Sequence, residues 1–266
     1  MQLNSRKNRE ALVAEDLISE RDIQAFRDTG FIIKRALLTA EKTQQIAEWT
    51  DEIAHYPELP GRYMMYFESS LVRSGERLLS RIENFFPYHA GFRQLLSGRA
   101  MLGAAARLFG ESAVLFKDKI NFKLPGADGF KAHQDVQAGW NAYASLHLTA
   151  MVTIDATTVE NGCLEIASGH HRRGVIGNMW EPLTEADIAG MAFVPCITWP
   201  GDVAFFDSFT PHRSNRNLTT QPRRVLYITY NRYSEGDQRL QYYADKRKSY
   251  PPDCERETGA HYRFKV

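Results

Sequence analysis

The sequence predicts a mostly β fold with flanking helices: a double-stranded β-helix, or jelly-roll barrel of the cupin kind, behind an N-terminal helical region. Three observations carry this expectation. Apolar residues recur at helical spacing up to about residue 110. Beyond it, six or more short segments rich in β-branched and aromatic residues are broken by turns. No repeat, linker or low-complexity tract divides the chain. A helical start followed by many short strands fits one barrel with helices packed outside it. The expected organisation is a single domain over 1–266, helical to about 110, with a jelly-roll core over about 111–235 and a C-terminal tail over 236–266.

The elements follow in order. In SERDIQAFRDTGF, Ser19 reads as an N-cap and Gly30 as a stop, with Ile23 and Phe26 between them. LTAEKTQQIAEWTDEIA reads as a second helix from Thr39, with Ile46, Trp49 and Ile53 on one side. PYHAGFRQLLSGRAMLGAAARLFG supplies two more helices, ending at Gly110. The stretch 59–75 has no clear period and is expected to be a lid or loop. The strands are SAVLFKDKINFKL, SLHLTAMVTID, GCLEIAS, AFVPCITWP, DVAFFDS and RRVLYITYN. Asn161-Gly162 reads as a type I′ hairpin turn, and Pro200-Gly201-Asp202 and Pro211 mark reversals.

Composition narrows the function. A net charge of +1 gives no reason to expect nucleic acid or an anionic membrane as partner. No apolar run reaches the ~20 residues that span a bilayer, and the charged N-terminus lacks the apolar core of a signal peptide. Three widely spaced cysteines, Cys163, Cys196 and Cys254, suggest neither a disulfide framework nor a Cys-x-x-Cys metal site. A cytoplasmic protein acting on a small molecule is expected.

The chemistry centres on KAHQDVQAGW. A His-x-acid triplet alone carries nothing: with 8 His, and 32 Asp or Glu among 266 residues, roughly one is expected by chance, 8 × 32/266. Placed on or just beyond a strand end, however, His133 and Asp135 face the same way. A third ligand must come from elsewhere. His170 and His171 sit in a polar loop, His55, His89 and His261 lack a strand context, and His147 in SLHLTAM reads as a core histidine. His212 follows the strong strand DVAFFDS and Pro211. Two imidazoles and one carboxylate, from His133, Asp135 and His212, make a facial triad that leaves positions open on a non-haem Fe(II).

HQD, ENGCLEIASGHHRRG and PGDVAFFDSFTPHRSNRNLTTQPRRVLYITYN resemble the phytanoyl-CoA dioxygenase (PhyH-like) family of Fe(II)- and 2-oxoglutarate-dependent oxygenases. DIQAFRDTGFIIKRALLT resembles it more weakly, so most of the chain is covered. The resemblance implies iron held by His133, Asp135 and His212, 2-oxoglutarate as co-substrate, O2 as oxidant, and release of succinate and CO2. It also implies that Arg223, eleven residues after His212, grips the far carboxylate of 2-oxoglutarate, and that the Ser214 hydroxyl assists. Arg chemistry suits that carboxylate, being planar, always charged and two-pronged. On RRVLYITYN, Arg223 shares its face with Val225, Tyr227 and Thr229, and Arg224 lies opposite. Asp135 argues against the halogenating relatives, in which a small residue replaces the carboxylate.

Asn121 on LFKDKINFKL is a further cofactor-side candidate, and Lys117 a candidate for the co-substrate or an anionic substrate. Lys119 and Lys123 are expected on a solvated face. Gln137 and Trp140, beyond HQD, are candidate substrate contacts. Arg172, Arg173, Arg213 and Arg216 hint at an anionic or zwitterionic substrate. The reaction expected is hydroxylation of a C–H bond of a small polar, anionic or zwitterionic metabolite, with 2-aminoethylphosphonate a specific candidate. The alternatives are an oxygenase for a natural-product scaffold or acyl-CoA, a cupin-like metal isomerase or cofactor-free dioxygenase that would not need Arg223, and a non-catalytic 2-oxoglutarate-binding sensor.

Overall fold

The structure, a computed structural model, describes residues 17–262. The N-terminal stretch read above for a signal peptide therefore lies outside the described residues up to residue 16. Helix α1 (Glu20–Thr29) starts at Ser19, whose hydroxyl accepts from Asp22 N while the Asp22 carboxylate accepts from Ser19 N, a reciprocal cap. It stops at Gly30, which is left-handed at φ 80°. Strand β1 (Phe31–Lys34) follows, then α2 (Ala40–Ala54), capped by Thr39. β2 (Met64–Ser69) and β3 (Arg77–Glu83) form a hairpin ahead of α3 (Ala90–Leu96) and α4 (Arg99–Phe109).

The barrel strands are β4 (Ala113–Lys123), β5 (Phe130–His133), β6 (His147–Thr153), β7 (Leu164–Ala167), β8 (Phe193–Cys196), β9 (Val203–Asp207), β10 (His212–Ser214) and β11 (Arg223–Arg232). They build a seven-stranded sheet, β1-β9-β6-β11-β4-β3-β2, and a four-stranded sheet, β5-β10-β7-β8, antiparallel throughout. Helix α5 (Arg239–Ser249) closes one end. The mostly β, jelly-roll expectation holds, with helices on the flank.

The two faces of the large sheet have separate jobs. Ile120, Phe122, Leu148, Ala150, Phe205, Leu226, Ile228 and Tyr230 pack outward against Ile46, Ile53, Phe92, Leu96 and Leu108 of the helices. Each Ile, Leu or Phe among them contributes roughly 1.5–3 kcal/mol by leaving water. Met151, Phe206, Val225 and Tyr227 face inward against Leu164 and Ile166 of the small sheet. Toward one end the inner face turns polar, and there the cavity lies.

Three expectations need correction. The part before 110 is not simply helical, because β1, β2 and β3 extend the large sheet. The supposed lid over 59–75 contains β2, whose Met64, Met65 and Tyr66 are buried by pairing with a strand further along the chain. Asn161-Gly162 is no type I′ hairpin. Gly162 is left-handed at φ 71° but Asn161 is not, and the loop joins β6 to β7 in different sheets. The Asn161 side chain instead accepts from Thr158 N, and a Cβ at Gly162 would meet Asn215 O at 2.1 Å. The tail over 236–266 carries α5. No helix of the described residues is long and apolar enough to cross a membrane.

Candidate active site

β5 and β10 are neighbours in the small sheet, with His133 opposite His212. The pairing brings the two imidazoles to one face, ring centroids 4.3 Å apart. Asp135 comes two residues after His133, where the chain leaves β5 and enters the 3₁₀ turn Asp135–Ala138. Its Oδ1 lies 4.0 Å from His212 Nε2, and one ligand atom of each of the three side chains lies within 4.8 Å of the others. Among the described residues no other trio of His, Cys, Asp or Glu converges in this way.

Backbone carbonyls decide which imidazole nitrogen is available. His133 Nδ1 lies 2.7 Å from Lys131 O, and His212 Nδ1 lies 2.9 Å from Thr210 O. A carbonyl can only accept, so both Nδ1 atoms carry a proton and Nε2 is the atom each ring can offer a metal. Burial, with His212 alongside, pushes His133 down to about 3, so the ring is neutral. Burial opposes the charge on Asp135, but His212 and Lys119 outweigh it and hold the carboxyl below its ordinary value. Two imidazoles that offer Nε2 and an ionised carboxylate fit a divalent metal of the non-haem ferrous type.

The turn that carries Asp135 is braced from behind by two buried glutamines. Gln134 donates to Gly174 O and Phe209 O and accepts from Ile176 N. Gln137 accepts from Gln134 N and donates to Ile176 O, Asn178 O and Glu181 O. Gln137 therefore does not meet the cavity as a substrate contact would: every polar atom of its side chain is committed to backbone. Gln134 shares the work; its place inside HQD is the one signal in the sequence that could have found it.

A cavity of about 370 Å³ opens beside the triad. His133 and Asp135 line it, with Lys117 and Lys119 of β4, Trp140, Tyr143, and Asp245 and Lys246 of α5 among its other walls. Trp140 is one of these walls. Its ring packs on Phe116 and on His147, 5.5 and 5.3 Å between centroids. A smaller inner recess joins the triad to Asn121, Thr149, Ser214 and Tyr227. His147 is fully buried as a core histidine should be, but neither ring nitrogen has a partner, and burial pushes it down to about 3.

Arg223 is 1% exposed, and its Nε and Nη1 have no hydrogen-bond partner. Among the described residues no carboxylate forms an ion pair with it, whereas Arg224 on the opposite face is gripped by Asp155, with Nε–Oδ2 and Nη2–Oδ1 both 2.8 Å. A buried guanidinium with idle donors is costly unless an anion joins it. Its register partner on β4 is Lys123, which donates to Ser214 Oγ at 2.8 Å. Burial, and then Arg223, push Lys123 down to about 6. Arg223, Lys123 and Ser214 thus form one polar corner, with Asn121, whose Oδ1 is unpaired, next along β4.

Lys119 and Lys123 correct the expectation of a solvated face, since both belong to the interior. β4 alternates as read from Lys117 to Lys123, but those positions face the barrel. A bulge against β11 between Thr229 and Tyr230 shifts the register. Phe116 therefore joins Trp140 and Tyr242 on the cavity side rather than the outer apolar row of Ile120 and Phe122.

The cations are arranged about Glu83, which is buried and accepts from Arg81 Nε at 2.9 Å and Lys246 Nζ at 2.5 Å, with Lys117 Nζ at 3.6 Å. Burial would protonate Glu83, but Lys117, Lys246 and Arg81 hold it well below the usual range. Lys117 is raised, Glu83 outweighing its burial. Lys119 has no carboxylate within ion-pair distance among the described residues, and its Nζ lies 4.7 Å from the centre of the Tyr227 ring. Burial, with Lys117 beside it, lowers it to about 8. None of Arg172, Arg173, Arg213 and Arg216 lines the cavity; Arg172 pairs with Asp28 and Arg213 with Glu165. The cations that line the cavity are Lys117, Lys119 and Lys246 rather than these arginines.

Comparison with known proteins agrees with this geometry. The phytanoyl-CoA dioxygenase (PhyH) family profile matches residues 26–225. The chain is 42% identical over 242 residues to a 2-aminoethylphosphonate dioxygenase from an uncultured bacterium, covering 89% of this chain and 90% of that one. It is 39% identical over 234 residues to a methylphosphonate hydroxylase from Gimesia maris, covering 88% of each. The fold is similar to that of EctD from S. alaskensis, solved with 2-oxoglutarate and 5-hydroxyectoine, at TM-score 0.69 and 21% identity over 82% of this chain and 77% of that one. The chain belongs to the phytanoyl-CoA dioxygenase family and is a dioxygenase dependent on Fe(II) and 2-oxoglutarate.

Proposed function

We propose that the protein hydroxylates a C–H bond of a small phosphonate, with 2-aminoethylphosphonate the first candidate. The observation that carries this reading is the placement of Lys117 and Lys119. Two apart on β4, they turn into the cavity beside His133 and Asp135. A phosphonate carries up to two negative charges on three oxygens, and such a group suits a pair of primary amines lining a cavity. The two relatives named for phosphonates support the same substrate class.

In this reading His133, Asp135 and His212 hold the iron, through the two Nε2 atoms and the carboxylate. Bound there, Fe(II) with O2 and 2-oxoglutarate supplies the oxidation that turns C–H into C–OH, with succinate and CO2 released. Arg223 receives the far carboxylate of 2-oxoglutarate on its idle donors, helped by Ser214 and Asn121. Lys117 and Lys119 orient the phosphonate so that a neighbouring C–H faces the triad. Trp140, Phe130 and Tyr242 keep the cavity walls apolar between these charges, and Glu83 fixes Lys117 in place. A cytoplasmic location belongs to the same proposal, since Fe(II) and 2-oxoglutarate must both be at hand.

The test is succinate release by the iron-loaded enzyme with a panel of phosphonates, ectoine and an acyl-CoA. Stimulation by phosphonates alone is expected. Stimulation by ectoine or the acyl-CoA, with none by phosphonates, overturns the substrate class.

A further inference from the structure

Resting on the phosphonate reading above, we propose that Asp245 of α5 selects aminoalkyl phosphonates over plain alkyl ones, by receiving the substrate's ammonium group. Asp135 and Asp245 are the two carboxylates that line the cavity, and Asp135 belongs to the triad. Asp245 takes no part in the inner recess that holds the whole triad, and its side chain is 39% exposed.

The carboxylate is held and still has capacity to spare. Oδ2 accepts from Tyr143 OH at 3.0 Å and from Gln241 Nε2 at 2.9 Å. Oδ1 has only the distant Lys248 Nζ at 4.0 Å, beyond hydrogen-bond reach. The Tyr143 ring that anchors it is itself packed between Phe116 and Tyr242. Tyr143 and Trp180 also border the cavity here, and aromatic faces favour an ammonium group. Asp245 and Lys246 are consecutive on the helix, so they point about 100° apart. Lys246 reaches inward to Glu83, and Asp245 stays at the rim.

The charges are therefore ordered: Lys117 and Lys119 line both the cavity and the inner recess that holds the whole triad, whereas Asp245 lines the outer cavity alone. A zwitterion with an inner phosphonate and an outer ammonium matches that order. An alkyl phosphonate leaves Asp245 unused.

The experiment uses the Fe(II)-loaded enzyme with 2-oxoglutarate and compares wild type, Asp245→Asn and Asp245→Glu. Turnover is measured with 2-aminoethylphosphonate and ethylphosphonate, and anaerobic calorimetry gives the affinity for each. Asn keeps an acceptor for Tyr143 while removing the charge. Losing one charge-assisted bond should raise KM and Kd for 2-aminoethylphosphonate about ten-fold, with kcat little changed, ethylphosphonate unaffected, and Asp245→Glu keeping part of the preference. Equal losses on both substrates, or no change on 2-aminoethylphosphonate, overturn the role of Asp245 and leave the phosphonate reading standing. Binding and turnover of neither phosphonate by wild type overturn both.

Discussion

His133 and His212 face each other across β5 and β10, each with its Nδ1 bonded to the carbonyl oxygen two residues before it, Lys131 O and Thr210 O. The repeated bond turns both Nε2 atoms toward the same space that Asp135 enters. One Fe(II) per chain is expected in the purified protein, and His133→Ala or His212→Ala should abolish both iron binding and turnover. Elemental analysis of each variant checks this. Wild-type iron content in His212→Ala would move the third ligand elsewhere, with His147, whose ring nitrogens are both unpaired, the next imidazole to consider.

Asp135→Glu should be nearly as damaging as Asp135→Ala. The Asp135 backbone is fixed, since Val136 N donates to Ser208 O and the Gln134–Gln137 brace holds the turn. One added methylene moves the carboxylate by about an ångström, whereas metal–oxygen distances tolerate about ±0.2 Å. Full activity in Asp135→Glu would show that this acid does not touch the metal.

Arg223→Lys should keep the charge and lose the fork. Charge-assisted hydrogen bonds are worth roughly 1.5–3 kcal/mol each, and 1.4 kcal/mol is a factor of ten in affinity. The apparent constant for 2-oxoglutarate should therefore rise on the order of ten- to a hundred-fold, and further in Arg223→Ala, with iron binding intact in both. Arg224→Lys, tied to Asp155 outside the barrel, should change that constant little. Titrating 2-oxoglutarate against succinate in these variants decides the matter. A large effect at Arg224 instead would reverse the assignment.

Lys123 gives the site a dependence on pH. In the free enzyme burial and Arg223 hold it at about 6, against an ordinary value of 10.5. Between those values the unfolded chain binds a proton that the folded chain does not, so this group's contribution to stability rises with pH across that window. A carboxylate seated on Arg223 favours the charged amine. Binding of 2-oxoglutarate near pH 8 should therefore take up protons and weaken as pH rises further. Calorimetry in two buffers of different ionisation enthalpy reads the uptake. Identical heats in both, or an unchanged uptake in Lys123→Met, would contradict it.

Local and strand-level features were legible in the sequence. The Ser19, Thr39 and Gly30 caps, the six barrel segments, the His133–Asp135 spacing and the alternation that separates Arg223 from Arg224 all follow from short-range periodicity. Long-range features were not. β2 is a strand because β3 pairs with it, and α5 is a wall because Lys246 finds Glu83 far back along the chain. Alternation along β4 showed that Lys117, Lys119, Asn121 and Lys123 share a face, but not whether water or a cavity lies beyond it. That depends on the second sheet. Gln137 lay near the site in sequence, yet its amide was claimed by a backbone loop that no local pattern announces.

The most direct test of a phosphonate-hydroxylating iron centre counts products in one tube. Wild-type enzyme is supplied with Fe(II), air, 2-oxoglutarate and 2-aminoethylphosphonate. Succinate is quantified, and the phosphorus NMR spectrum followed, alongside Lys119→Met. One hydroxylated phosphonate per succinate is expected for wild type, with product formation falling at least ten-fold in Lys119→Met at the same phosphonate concentration, as for one lost charge-assisted contact. Succinate formed without any change in the phosphorus spectrum, or equal product from Lys119→Met, would contradict the assignment.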